Sequence, residues 1–209
     1  MFSMETSTMT ATHGERAYHH GDLRRAIVAT AMAMLQEGGD WQFTLREVAR
    51  RAGVSHAAPY KHFPDKAALL GEVALTGFDQ LRLALAATHA AASDGLGAEF
   101  AAMMRAYLAF GEANPALYRL MFGGAVANAA DIHRDARAVG TFDLLVDLLG
   151  RGQAAGLFRE RPVRGQAAAC WAQLHGLTML RLDGLLVAEK VGENAVDAAL
   201  ATLGEGLFA

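Results

Sequence analysis

The side chains best suited to chemistry in this chain lie close together. Thr44, Arg46, Ser55, His56, Ala57, Tyr60, Lys61, His62 and Lys66 all fall between positions 44 and 66. Guanidinium and ammonium groups are fixed cations, and hydroxyl and imidazole groups each offer one or two hydrogen bonds. Such a mixture suits a polyanion, with cations and hydroxyls on phosphate oxygens and small side chains at base edges. Thr44, Tyr60, Lys61 and His62 are expected at the sugar-phosphate backbone, with Lys66 adding a contact at the start of another helix. His56 and Ala57 are expected nearest the bases. Arg46, Arg50 and Arg51 raise the local potential, and Tyr18, His19 and His20 can brush the backbone. The alternative is that Tyr60 and Phe63 are core aromatics and the lysines merely solvated. For Phe63 the core reading is preferred.

These side chains need a scaffold, and the same stretch encodes one. Thr44 can cap a helix, and Glu47 three residues later completes a capping box. Ala49 allows close helix packing, Gly53 supplies backbone freedom for a turn, and Val54 fills the angle. Ser55 is expected to cap a second helix running to His62, with Pro59 in its first turn. This is a helix-turn-helix, a unit that puts its second helix in the DNA major groove. No base preference can be read from His56, Ala57 and Tyr60, which do not form a familiar side chain–base pairing.

The surrounding pattern is helical throughout. A first helix is expected from its cap Asp22 to Glu37, with Leu23, Ile27, Thr30 and Met34 on one face and Gly38-Gly39 as its end. Asp65 caps a helix beginning at Lys66. Leu23, Ile27, Leu45, Val48, Val54, Phe63 and Leu69 then form a small core. Beyond Gly71 longer helices are expected at 72–92, 98–112, 116–122, 131–155, 163–184 and 193–207. Breaks fall at Ser93-Asp94-Gly95, Asn114-Pro115, Gly123-Gly124 and Arg161-Pro162. The predicted fold is all-α. Residues 1–17 are a disordered tail, 18–70 a helix-turn-helix domain, and 71–209 a larger helical bundle. Met1, Met4 and Met9 are alternative starts.

Composition narrows the function classes. Only four prolines occur in 209 residues rich in Ala, Leu and Met, which favours helix over sheet. Net charge is -3, yet residues 13–66 carry eight Lys or Arg against six acids, whereas residues 67–209 carry eleven against fifteen. A mildly basic front on an acidic body suits a local phosphate surface. The lone Cys170 excludes an intrachain disulfide and points to a reducing, cytoplasmic setting. No signal peptide and no membrane-length apolar run is present.

Enzyme chemistry finds little support. There is no Glu-x-x-His pair and no phosphate-cradling Gly motif. Cys170 and His175, five residues apart, are splayed by about 140° on a helix. No metal or cofactor is expected. A protein-interaction module using the motif structurally is the other alternative, but such a module does not require cations beside a helix start.

The capped helix, Gly53-Val54-Ser55, Tyr60-x-His62-Phe63 and Asp65-Lys66-x-x-Leu69-Leu70 together resemble the amino-terminal domain of TetR-type regulators over about residues 18–70. His56-Ala57-Ala58-Pro59 departs from the commoner residues before the Tyr. Asn114-Pro115-x-x-Tyr118-x-x-Met121-Phe122 and Trp171-x-x-x-His175-Gly176 are similar to the carboxy-terminal domain of a branch marked by a Trp-His-Gly signature. The resemblance implies a homodimeric repressor on a palindromic duplex operator, released by a small-molecule effector. It further implies dimerisation through the helices at about 131–155 and 163–184. An effector pocket is then expected among Met103, Met104, Tyr107, Phe110, Tyr118, Met121, Phe122, Trp171, Leu174, His175 and Met179. Met adapts its shape, and aromatics with polar handles line many ligand sites. The plainer reading is that these residues are core and His175 a satisfied buried histidine.

Overall fold

Capping and packing together define the helices. A computed structural model of the chain describes residues 15–91, 95–123 and 129–208. Helix α1 spans Glu15–Gly38, α2 Leu45–Arg51, α3 Lys66–Ala91, α4 Leu96–Ala113 and α5 Pro115–Phe122. Helix α6 spans Ala129–Arg134, α7 Ala136–Ala154, α8 Val163–Leu182, α9 Ala188–Val191 and α10 Ala195–Leu207. Among the described residues the only extended pairing is an isolated bridge between Phe158 and Phe208, so the fold is all-α.

Local signals hold where the chain closes its own hydrogen bonds. The Thr44 hydroxyl accepts from the Glu47 amide at 3.2 Å, and Glu47 accepts from the Thr44 amide at 2.7 Å. That reciprocal pair satisfies two donors left orphaned at a helix start. Asp65 accepts from the Ala68 amide at 2.8 Å. Gly39 ends α1 at φ +72°, and Gly53 turns the chain at φ +68°, a region side chains with a Cβ avoid.

Four expectations are corrected. Helix α1 begins at Glu15 rather than Asp22, because Glu15-Arg16-Ala17 favours helix and no proline precedes Asp22, so the single Gly21 is tolerated. Residues 15–17 are therefore helical, and the rest of the expected tail lies outside the described residues, as do Ser93-Asp94 and Gly124. The buried face of α1 is Ile27, Val28, Ala31, Met32 and Leu35, rotated from the expected stripe, with Leu23, Thr30 and Met34 only half-buried. Helix α3 runs unbroken for 26 residues through Gly71. A mid-helix Gly costs roughly 1 kcal/mol against Ala, and burial of Leu70, Val73 and Ala74 on either side outweighs it. The expected 131–155 helix is two helices, because Asp135 accepts from the Arg137 amide at 2.9 Å and starts α7 afresh.

One continuous core joins the amino-terminal helices to the larger bundle, from Ile27 through Phe78 to Leu148, Leu174 and Leu207. Phe158 closes its lower end. A Cβ at Gly152 would overlap the Phe158 ring, so glycine is what lets α7 approach it.

Candidate DNA-contact surface and ligand cavity

The segment after the turn is more tightly wound than expected. Ser55 to His62 is not an α-helix but a series of turns ending in a 3₁₀ turn at Pro59–Lys61. Pro59 lacks the N–H that would bond the Ser55 carbonyl in an α-helix, and that carbonyl instead takes the Ala58 amide at 2.9 Å. The Lys61 and His62 amides likewise bond three residues back, to Ala58 and Pro59. The cap position of the 3₁₀ turn falls to Ala58, which has no side chain able to cap, so Ser55 is not the cap.

The outward groups form one surface. Ser55, His56, Ala57, Tyr60 and Lys61 are exposed, Tyr60 by 52%, while Ala58, Pro59 and Phe63 are buried beneath them. Thr44, the cap of α2, and Arg46 and Arg50 on that helix are exposed beside it. His62 is half-buried, and its Nε2 is sealed from solvent without a hydrogen-bond partner among the described residues. Lys66 is half-buried with its Nζ 5.7 Å from the Phe43 ring centroid, so its stem packs while its charge stays near the surface. Arg51 is engaged by Glu37. Tyr18, His19 and His20 are helical, within α1.

Behind this surface an ion-pair chain crosses three helices. Glu72 on α3 accepts from Arg137 on α7 at 2.9 Å and from Arg24 on α1 at 2.7 Å. The Arg24 guanidinium lies 5.2 Å from the Phe63 ring centroid. Burial pushes the Glu72 carboxyl up, but the bonds from Arg137 and then Arg24 outweigh it and hold it below the usual carboxylate range.

The larger bundle encloses a cavity of about 360 Å³. Six of the expected pocket residues line it: Met103, Met104, Tyr107, Phe122, Trp171 and Leu174. Phe110, Tyr118, Met121, His175 and Met179 do not, and pack behind the wall. Much of the wall comes from helices that carry no expected pocket residue. Phe78, Leu81 and Leu85 enter from α3, His133 from α6, and Ala138, Val139, Thr141, Phe142 and Leu145 from α7; Arg164 and Ala168 complete it from α8. Phe78, Leu81 and Leu85 follow an i, i+3, i+7 spacing, so one stripe of α3 was readable as a face, though not as a face toward a void.

Polar groups near the cavity satisfy one another. The Trp171 Nε1–H donates to the Tyr107 hydroxyl at 3.2 Å, the Tyr107 and Tyr118 hydroxyls are 2.9 Å apart, and Tyr118 lies 2.8 Å from His175 Nδ1. Indole can only donate, so each hydroxyl proton has a place if Tyr107 donates to Tyr118 and Tyr118 to a neutral His175. Burial, and then neighbouring His133, hold His175 below the usual imidazole range, which favours that neutral form. Burial pushes the Tyr118 hydroxyl up to about 12, so it keeps its proton.

Comparison with known proteins accords with these two regions. The family model "Bacterial regulatory proteins, tetR family" matches residues 27–73, and "Tetracyclin repressor-like, C-terminal domain" matches residues 100–203. A solved protein of unknown function from Rhodococcus sp. RHA1 is 35% identical, with 93% of this chain and 100% of that one covered and a TM-score of 0.75. A candidate tetR family transcription regulator from Shewanella sp. PV-4 shares the fold at 22% identity, with 90% of this chain and 98% of that one covered and a TM-score of 0.67. A TetR family transcription regulator from Marinobacter aquaeolei VT8 does so at 17% identity, with 92% and 98% covered and a TM-score of 0.62. No curated protein matches the chain. Among the described residues no helix is long and apolar enough to cross a membrane. With a capped helix-turn-helix at one end and a cavity-bearing helical domain at the other, each matched by its own model, the chain belongs to the TetR family of DNA-binding transcription regulators.

Proposed function

We propose that this regulator is a cytoplasmic, ligand-responsive repressor that binds a palindromic operator as a homodimer and leaves it when a small, partly apolar effector fills the cavity. It is not an enzyme in this reading, and it falls in the branch carrying the Trp171-x-x-x-His175-Gly176 run. The observation that carries the proposal is the continuity of α3. Its first turn, at Lys66, adjoins the contact surface, and Phe78, Leu81 and Leu85 on the same helix form one wall of the cavity. A ligand that displaces this wall therefore displaces the reading head. Glu72, held by Arg24 and Arg137, is the joint through which α7 adds to that coupling. Linkage then requires ligand and operator to weaken each other equally.

The operator contacts proposed are Thr44, Arg46, Ser55, His56, Ala57, Tyr60, Lys61 and Lys66, with His62 acting from beneath the surface. The proposed domain division keeps 18–70 as the reading unit, with α3 shared between it and the 71–209 unit. For the dimer, α8 offers an outward stripe of small and apolar residues, Gly165, Ala169, Ala172, Gly176 and Leu180, with open space at both glycines. The expected partner helix α7 turns Ala138, Leu145, Leu148 and Leu149 inward, so α10, with outward Ala198 and Ala201, is the better second member. A closed two-fold pair would match a two-fold operator.

The test is to select duplexes from a random-sequence pool and to measure the mass of the complex in solution. A two-fold symmetric site bound by two copies is expected, with log K falling by about 0.9 per neutralised phosphate as log salt rises. A strictly monomeric protein, or binding with no salt dependence, would overturn the proposal and favour an interaction module.

A further inference from the structure

The cavity has an apolar interior and a charged rim, and the two features select a ligand class. Its only permanently charged lining residue among the described residues is Arg164. Of the other polar lining groups, Trp171, Tyr107 and Thr141 are occupied. Tyr107 is taken by Trp171 and Tyr118, and the Thr141 hydroxyl lies 2.8 Å from the Arg137 carbonyl and 3.2 Å from that of Phe78. His133 packs edge-on to Phe78, with ring centroids 5.5 Å apart. The rim is marked by exposure: the Arg164 side chain is 65% exposed, and Val139 and Trp171 are the exposed large apolar lining residues. The opening therefore lies between α7 and α8, on the side of α8 that carries Arg164, Ala168 and Trp171. The outward stripe proposed for dimerisation is a different side, so pairing leaves this opening accessible.

From this geometry we infer that the cavity takes an amphipathic monoanion: an apolar body inside, and one carboxylate-like end on Arg164 at the rim. A volume of about 360 Å³ holds on the order of a dozen non-hydrogen atoms, taking about 30 Å³ for each as for a water molecule. Within the interior only the His133 ring keeps polar capacity, so a second polar group placed elsewhere would be buried unpaired. At the rim, Arg164 uses one nitrogen on Asp143 at 3.0 Å. That pair is exposed and weak, and the planar guanidinium has further donors for a carboxylate. Asp143 opposes the incoming anion and so tunes its affinity downward. This inference rests on the proposal that the cavity is the effector site.

The test uses decanoate, 1-decanol and decyltrimethylammonium below their aggregation concentrations, read by Trp171 fluorescence in a W41F background. Decanoate is expected to bind about tenfold or more tightly than either of the others, a difference of about 1.4 kcal/mol. R164Q should weaken decanoate about tenfold and leave 1-decanol unchanged, R164K should keep most of the affinity, and D143N should tighten decanoate alone. Equal binding of decanoate and decanol, indifference of decanoate to R164Q, or no binding of any probe would overturn the inference. Arg164 and Asp143 are exposed, and Trp41, half-buried against the core, is replaced by another aromatic ring, so the folded protein is retained. The same titration repeated with operator bound separates the two claims. If decanoate binds through Arg164 but leaves operator affinity unchanged, the ligand class stands and the effector role fails.

Discussion

The contact surface and the cavity use polar side chains in opposite ways. At the surface, Tyr60, Lys61, Arg46 and His56 point outward, and neither Lys61 nor Arg46 makes an ion pair among the described residues. Around the cavity, Trp171, Tyr107, Tyr118 and His175 satisfy one another. The first arrangement leaves hydrogen-bonding capacity for a hydrated, charged partner. The second consumes it, so that shape and apolar contact dominate what the cavity accepts. Between them stands the Arg24–Glu72–Arg137 chain, half-buried and fully engaged, which belongs to both regions.

The contrast can be broken in order of expected effect. Leu148→Ala, at a fully buried core position, should cost about 3 kcal/mol of stability by urea unfolding. It should lower ligand and operator binding together, because both need the folded bundle. Glu72→Gln leaves two arginines with a neutral partner and should cost about 2 kcal/mol. It should also reduce the thermodynamic coupling between ligand and operator more than it reduces either affinity alone, as measured by operator anisotropy titrations with and without ligand. If that coupling is unchanged, the joint lies elsewhere.

The pH dependence follows from the same carboxylates. Glu72 and Glu99 both sit below the ordinary glutamate value of 4.5 in the folded chain. Glu99 is held there by the Arg151 bond at 2.6 Å, against the cost of burial and with help from His89. A depressed carboxyl contributes stability that is fully present above 4.5 and is lost as pH falls through the lowered folded value. The carboxylate contribution should therefore be level above about pH 5.5 and fall steeply below 4.5. A shallower loss precedes it, beginning below 6.5, where the depressed His175 and His133 resist the protonation their unfolded forms accept. The fall should be shallower in Glu72→Gln. Stability that is independent of pH between 3 and 5 would contradict the assignment. Smaller still, Gly53→Ala forces a Cβ into φ +68° and should cost about 1 kcal/mol. The loss is local, so duplex binding should fall while ligand binding stays. Lys61→Ala should leave stability untouched and weaken all duplexes alike, lowering the salt slope by about 1. An unchanged slope would remove Lys61 from the phosphate contacts.

How far each region could be read in advance tracks the range of the interactions that make it. The Thr44–Glu47 box, the Asp65 cap and the turns at Gly39 and Gly53 are closed by residues within a few positions of one another, so they stood in the sequence. Pro59 is legible too, but its effect depends on its register in the segment. Counted from Ser55, it occupies the first position whose N–H an α-helix would use, and the segment winds as 3₁₀ instead. The cavity was half-legible. Met103, Met104, Tyr107, Phe122, Trp171 and Leu174 line it, whereas Tyr118 and His175 are its supporting layer, and its α3 and α7 walls carried no local mark.

By itself, the order of residues determined the helical class, the reading unit with its turn, and the family, because caps, breakers and apolar periodicity act through neighbours along the chain. Tertiary structure alone decided that α3 continues through Gly71, that Glu72 ties α1 to α7, and that Arg164 stands at the rim of an apolar void. Each of these depends on side chains brought together from distant helices by packing, whose net benefit is set by the whole core and not by any short stretch of it.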